Sequence, residues 1–94
     1  MLKKYESMII IVPTLTEDDS KQELEKISSF IKKNGGEVIN TDDLGKKRLA
    51  FKINDFNEGY YFVNYFNFDT AKVSELERMY KLNENVIRYN IQTK

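Results

Sequence analysis

Apolar positions along the chain switch between two periods, and each switch marks an element. Met8-Ile9-Ile10-Ile11-Val12 is a short, β-branched run that ends at Pro13, the only proline. It predicts a strand over about residues 4–12. Thr16 and Asp19 then stand at capping-box spacing, ahead of an acidic turn, Glu17-Asp18-Asp19, that suits the start of a helix. Leu24, Ile27 and Ile31 follow at helical spacing with Phe30 beside them, and Asn34-Gly35-Gly36 supplies a left-handed stop. The predicted helix covers 17–33.

Val38 and Ile39 open a second strand. Asp42-Asp43-Leu44-Gly45 predicts a bulge or bend within it, because glycine inside a strand often marks one. The strand resumes through Ile53. Asn54-Asp55-Phe56-Asn57-Glu58-Gly59 is dense in turn residues and reads as a hairpin loop. Tyr60 to Phe68 is the most β-prone stretch and predicts a third strand. Thr70 is a cap for a second helix with Val73, Leu76 and Tyr80 on its buried stripe, ending near Asn83, and Val86 to Ile91 predicts a fourth strand.

Strand, helix, strand, strand, helix, strand is the order of two split βαβ units. The expected fold is an α+β, ferredoxin-like sandwich: a four-stranded antiparallel sheet, order 4-1-3-2, with both helices on one face. Strands one and three are apolar at both parities, as central strands should be. In strand two, Leu49, Phe51 and Ile53 share one parity and are expected beneath the helices. Lys46, Arg48, Ala50 and Lys52 share the other and are expected on the uncovered face, with Lys47 escaping at the bulge. In strand four, Ile87, Tyr89 and Ile91 are the inward set and Arg88 points outward. For strand three, Tyr60/Phe62/Phe66 and Tyr61/Tyr65 fit the outward parity equally well.

Composition narrows the chemistry. Ninety-four residues, 40% of them apolar and including six Phe and six Tyr, make one self-folding domain, 1–94. Cysteine is absent, which excludes disulfides, thiolate metal sites and iron–sulfur clusters. Histidine, the commonest general base, is absent too. No enzyme activity, cofactor or metal is expected. Glu17-Asp18-Asp19 is explained by the helix dipole, and Asn34-Gly35-Gly36 ends a helix rather than starting a phosphate loop. The start shows no secretion signal and no apolar run reaches membrane length, so a cytoplasmic protein is expected.

Fifteen cations balance fifteen anions, so bulk capture of a polyanion is not expected. Local charge is another matter. Gly45-Lys46-Lys47-Arg48-Leu49-Ala50-Phe51-Lys52-Ile53 holds four cations in nine residues. Pattern alone favours charges that keep an edge strand from aggregating. The competing reading is a surface where cations meet phosphates and exposed rings stack on unpaired bases. Lys32, Lys33 and Lys81 complement helix C-termini. Lys3 and Lys4 are equally consistent with solvent and with phosphate.

Several segments carry a resemblance: Lys4-Tyr5-Glu6, Pro13 after the first strand, the stretch Leu44 to Ile53, Gly59-Tyr60-Tyr61, and Glu84-Asn85-Val86-Ile87-Arg88-Tyr89. In order and spacing they resemble the family of the sixth protein of the bacterial small ribosomal subunit. Members usually have Tyr-Pro-Ile after Leu-Ala, where this chain has Phe51-Lys52-Ile53, and some carry an extended, often acidic tail beyond the position of Lys94. The resemblance implies a ferredoxin-like fold and a heterodimer with the eighteenth small-subunit protein. That pair is expected to bind the central domain of small-subunit ribosomal RNA during assembly, and it is implicated in binding its own messenger leader. It also implies that Arg48 and Arg88 contact RNA or partner, supported by Lys3, Lys4, Lys46 and Lys47. Phe51, Lys52, Tyr60 and Phe62 are the partner-binding or stacking candidates. A free-standing single-stranded RNA binder of the RNA-recognition type, stacking bases on Tyr60, Phe62 and Phe66, is the alternative. A sensing domain or acylphosphatase-like enzyme on the same architecture is opposed by Pro13-Thr14-Leu15, which stands where a glycine-rich anion loop would be.

Overall fold

The structure, a computed structural model, describes residues 2–94. Its elements are β1 (Leu2–Ile11), α1 (Glu17–Lys33), β2 (Glu37–Ile53), β3 (Phe56–Asp69), a 3-10 turn (Thr70–Lys72), α2 (Val73–Leu82) and β4 (Val86–Thr93). The strands form one sheet in the order β2-β3-β1-β4, antiparallel at every junction. This is the expected ferredoxin-like order read from the opposite edge.

Alternation sorts the central strands. Tyr5, Ile9 and Ile11 of β1 lie opposite Phe66, Phe62 and Tyr60 of β3. All six are buried in one cluster with Phe68, Ile27 and Ile31 of α1, and Leu76 and Tyr80 of α2. Both helices therefore cover the same face. The structure also resolves the parity of β3: Tyr60, Phe62 and Phe66 face inward, and Tyr61 and Tyr65 face out. Burial of each large side chain contributes roughly 1.5–3 kcal/mol, so this face dominates stability.

Two polar rungs cross that apolar layer. The Ser7 and Tyr80 hydroxyls share a hydrogen bond of 3.0 Å, and burial pushes the Tyr80 phenol up to about 12 against the pull of that bond. Thr41 Oγ1 donates to Asn64 Oδ1 at 2.7 Å. The rungs tie α2 and the edge strand β2 to the central pair, and satisfied buried polar groups of this kind favour one packing over alternatives.

The helix ends follow from local chemistry. Thr16 Oγ1 accepts from the Asp19 N–H at 3.1 Å. At the other end of α1, Gly35 takes φ +83, and Gly36 N–H reaches Ile31 O at 2.8 Å while Gly35 N–H reaches Lys32 O at 3.1 Å. That pair of bonds is a Schellman closure. Thr70, expected to cap the second helix, does not. Asp69 caps the 3-10 turn that precedes α2, accepting from Ala71 N–H at 3.0 Å, because its carboxylate is the stronger acceptor and sits at the right spacing for an Asx turn. The hairpin loop expected over 54–59 shrinks to two residues. Asn54 (φ 50) and Asp55 (φ 67) turn the chain so that Ile53 pairs with Phe56. Asn and Asp visit this left-handed region more readily than other non-glycine residues, so β3 begins four residues earlier than expected.

A buried carboxylate fastens α1 to the α2–β4 loop. Glu23 Oε2 accepts from Asn83 Nδ2 at 3.0 Å, Oε1 accepts from Asn85 Nδ2 at 2.6 Å, and Lys26 Nζ lies 3.5 Å from Oε1. Burial alone pushes the carboxyl up, but the two amide donors and the ammonium overturn this and hold it below the ordinary value. A depressed folded-state pKa stabilises above the unfolded value and loses that contribution as pH falls through the folded one. Glu23→Gln, which removes the charge, is expected to cost about 1–3 kcal/mol at neutral pH. The gap to wild type should shrink between roughly pH 5 and pH 3 in urea melts.

Candidate nucleic-acid interface

Two extra residues in β2 decide which way its cations point. Val38 lies opposite Phe66 and Asn40 opposite Tyr65, so Ile39 is extra; Asp43 lies opposite Phe62 and Gly45 opposite Tyr61, so Leu44 is extra. The bulge expected near Gly45 is present. Gly45 takes φ +76, and its N–H donates to Asp43 Oδ1 at 2.9 Å. Each added residue reverses the parity of everything after it. Lys46 consequently pairs with Tyr60 and Arg48 with Glu58, while Lys47 pairs with Gly59.

This corrects the expected orientation. Tyr60 belongs to the helix-covered core, so Lys46 and Arg48 project on the helix side and Lys47 on the uncovered face. Lys46 is already engaged, 3.7 Å from Glu58 and over the Tyr60 ring at 5.4 Å. Arg48 is exposed and borders a separate recess with Pro13, Phe56 and Glu58.

Leu49, Phe51 and Ile53 were expected beneath the helices, and the structure places them along the uncovered face instead. Leu49 and Ile10 are both buried yet stand outside the main core cluster. With Met8, Phe51, Tyr61 and Arg88 they line a groove of about 270 Å³. Ala50 and Ile53 border the same groove, and Lys52 beside them is exposed. The physical reason is that an apolar position demands cover without saying which face supplies it. Ile10 needs cover on the helix-free side, and the β2–β3 arm provides it. Gly59 makes the approach possible: a Cβ there would come 2.6 Å from Ile10 Cγ2 and 3.0 Å from Ile11 O.

β4 agrees with expectation. Arg88 lies opposite Ile10 and is exposed on the uncovered face. Ile87, Tyr89 and Ile91 pack against the core, and Tyr89 Oη donates to Glu77 Oε1 at 3.1 Å. One end of the uncovered face thus brings together Lys47, Phe51, Lys52 and Arg88 around an apolar floor. Lys3 and Lys4 lie at the far end of β1, opposite Phe68 and Asn67, and do not join that group. Between the two ends the face turns acidic. Partial burial, then the Asp42 and Glu6 carboxylates, raise the Tyr65 phenol above its ordinary value, and Lys94 sits over the Tyr65 ring at 5.4 Å.

Tyr60 and Phe62, candidates for stacking, are 9% and 1% exposed and are core residues. The rings on the uncovered face are Tyr61 and Tyr65, both half-buried, and the most accessible ring is Phe51, 65% exposed. Among the described residues no cluster of metal-ligating side chains occurs, and no helix is long and apolar enough to cross a membrane.

Residues 4–92 match the model of the family described as ribosomal protein S6. The chain belongs to the ribosomal protein S6 family. Among its relatives is the small ribosomal subunit protein bS6 of Shouchella clausii, 41% identical over 87 residues, covering 93% of this chain and 92% of that one. The bS6 of Thermoanaerobacter pseudethanolicus is 42% identical over 90 residues, 96% and 95% of the two chains. The bS6 of Nitratiruptor is 42% identical over 88 residues, 94% of this chain and 69% of its own. The crystal structure of the 30S ribosomal protein S6 of Thermotoga maritima superposes with a TM-score of 0.94 at 30% identity, covering all of this chain and 89% of the other. Within the S6 frame, the two faces make opposite demands on their aromatics. Phe62→Ala is expected to cost about 3–5 kcal/mol in urea unfolding, whereas Phe51→Ala should stay within about 0.5 kcal/mol of wild type.

Proposed function

We propose that this chain is a non-catalytic protein of the small ribosomal subunit, working in the bacterial cytoplasm. Together with the eighteenth small-subunit protein it binds the central domain of small-subunit ribosomal RNA during assembly. Family membership supports the ribosomal assignment. The observation that carries the finer reading is the juxtaposition of an exposed ring, Phe51, and an exposed cation, Arg88, on the rim of one shallow apolar groove.

That rim combines two kinds of recognition. A partner's apolar side chain entering the groove would cover Phe51, Leu49 and Ile10, removing from water the largest apolar exposure on that face. Arg88, Lys47 and Lys52 surround the groove and reach phosphates beyond the partner's edge. Arg48 on the helix side, with Lys3 and Lys4 at the far end, are further RNA contacts in this reading, and Lys46, held by Glu58 and Tyr60, contributes least. A chain of zero net charge has little long-range attraction for RNA, which suits a protein that arrives with a basic partner. Burial of Tyr60 and Phe62 weighs against a free-standing binder that stacks bases on those rings.

Two substitutions separate the roles. Phe51→Ser should weaken the heterodimer at least tenfold, measured by titration calorimetry, with the fold unchanged. Arg88→Gln should leave the heterodimer intact and flatten the salt dependence of its RNA affinity by nearly one unit of log–log slope. Equally tight RNA binding by the isolated chain would instead favour the free-standing reading.

A further inference from the structure

The end of the molecule opposite the β2–β3 hairpin gathers lysines from four elements. α1 finishes there with Lys32 and Lys33, and Gly36 packs against Asn67 O and Phe68. Lys3 and Lys4 lie opposite Phe68 and Asn67 on the adjoining strand. Lys72 Nζ donates to Asn34 O at 3.5 Å, and Lys94 N–H donates to Lys4 O at 2.9 Å. The carboxylates at this end are Glu6, Glu37, Asp69 and Glu75. Two of them are engaged: Asp69 accepts from Ala71 N–H, and Glu6 lies 3.8 Å from Lys94. Lys3, Lys4, Lys32 and Lys33 are exposed, and among the described residues none of the four closes an ion pair. The α1 C-terminus offers them roughly half an elementary charge, which does not neutralise the group.

Resting on the RNA reading above, we infer that this lysine end is a second RNA contact, which binds a stretch of phosphate backbone separate from the one met at the hairpin end. Its chemistry suits backbone and not bases. Lysines on flexible stems are point charges without the planar fork that reads base edges, and the nearest outward ring, Tyr65, is half-buried and flanked by Glu6 and Asp42. The two basic ends also act independently. Lys3 and Ile10, the partner of Arg88, are seven residues apart on β1, about 23 Å at roughly 3.3 Å per residue. That is more than two screening lengths at physiological salt, so neither end neutralises or reinforces the other, and one chain can bridge two segments of folded RNA.

The test compares heterodimers carrying Lys3→Gln/Lys32→Gln/Lys33→Gln, Arg88→Gln, or both sets, on a central-domain fragment of small-subunit ribosomal RNA across a salt series. The triple variant should lower affinity and flatten the log–log slope by about two units, and the combined variant should lose the sum of the separate effects. In parallel, Lys32 and Lys33 should resist acetylation by acetic anhydride in the complex while Lys21 and Lys26 do not. Urea midpoints establish that the variants fold, and Lys3→Gln alone, with an expected slope change of just under one unit, carries the test if the triple variant does not. A triple variant indistinguishable from wild type, beside a weakened Arg88→Gln, would overturn the second contact and leave the first standing. No RNA binding by the wild-type heterodimer would overturn both.

Discussion

β1 and β3 carry apolar side chains on both of their faces, and a sheet built around such strands has to be covered twice. On one side Ile9, Ile11, Phe62 and Phe66 lie under α1 and α2, and the cover is complete. On the other side Met8, Ile10 and Tyr61 have no helix, and the chain covers them with what remains: the arm that carries Leu49. That arm reaches only part of the face. The shortfall is the groove, and the groove is where Phe51 and Arg88 meet. Stability and recognition therefore draw on the same apolar strands, divided by which face has been closed.

Charge follows the same division. The helix-side surface at the hairpin end carries the acidic start of α1, the middle of the uncovered face is acidic around Glu6 and Asp42, and cations collect at the two ends of the strands. Zero net charge is thus a sum over regions of opposite sign, and short-range screening lets each region act on its own. Lys46 illustrates how a cation can be withdrawn from recognition: Glu58 and the Tyr60 ring hold it within the molecule.

Elements whose signals are local were legible in the sequence. The bounds of α1 follow from Thr16 and from Asn34-Gly35-Gly36, and the strand order follows from apolar parity in β1 and β3. Arg88 was legible because β4 alternates across its apolar positions, with one irregularity beside Ile11. Orientation in β2 was not. Its alternation passes through two extra residues, and only Gly45 advertises one of them; Ile39 looks like any strand isoleucine. The parity of β3 was equally silent, since both sets of aromatics satisfy the propensity of a central strand, and only the packing of Phe62 and Phe66 under the helices separates them. Leu49 was read correctly as buried and assigned to the wrong side, because hydrophobicity along a chain records that a residue leaves water and not which layer receives it.

The bulge at Leu44 has an evolutionary consequence. Because a single additional residue there sets the facing of Lys46 through Leu49, loss of one codon would invert the whole arm at once. Lys46 and Arg48 would swing to the helix-free side, and Lys47 would leave it. Leu49 would be withdrawn from Ile10, stripping the groove of its wall. No point substitution in the arm can do this. In-frame insertions and deletions between Asp43 and Gly45 are therefore the changes that selection should tolerate least in this strand, even though the segment is exposed and contributes almost nothing to the core.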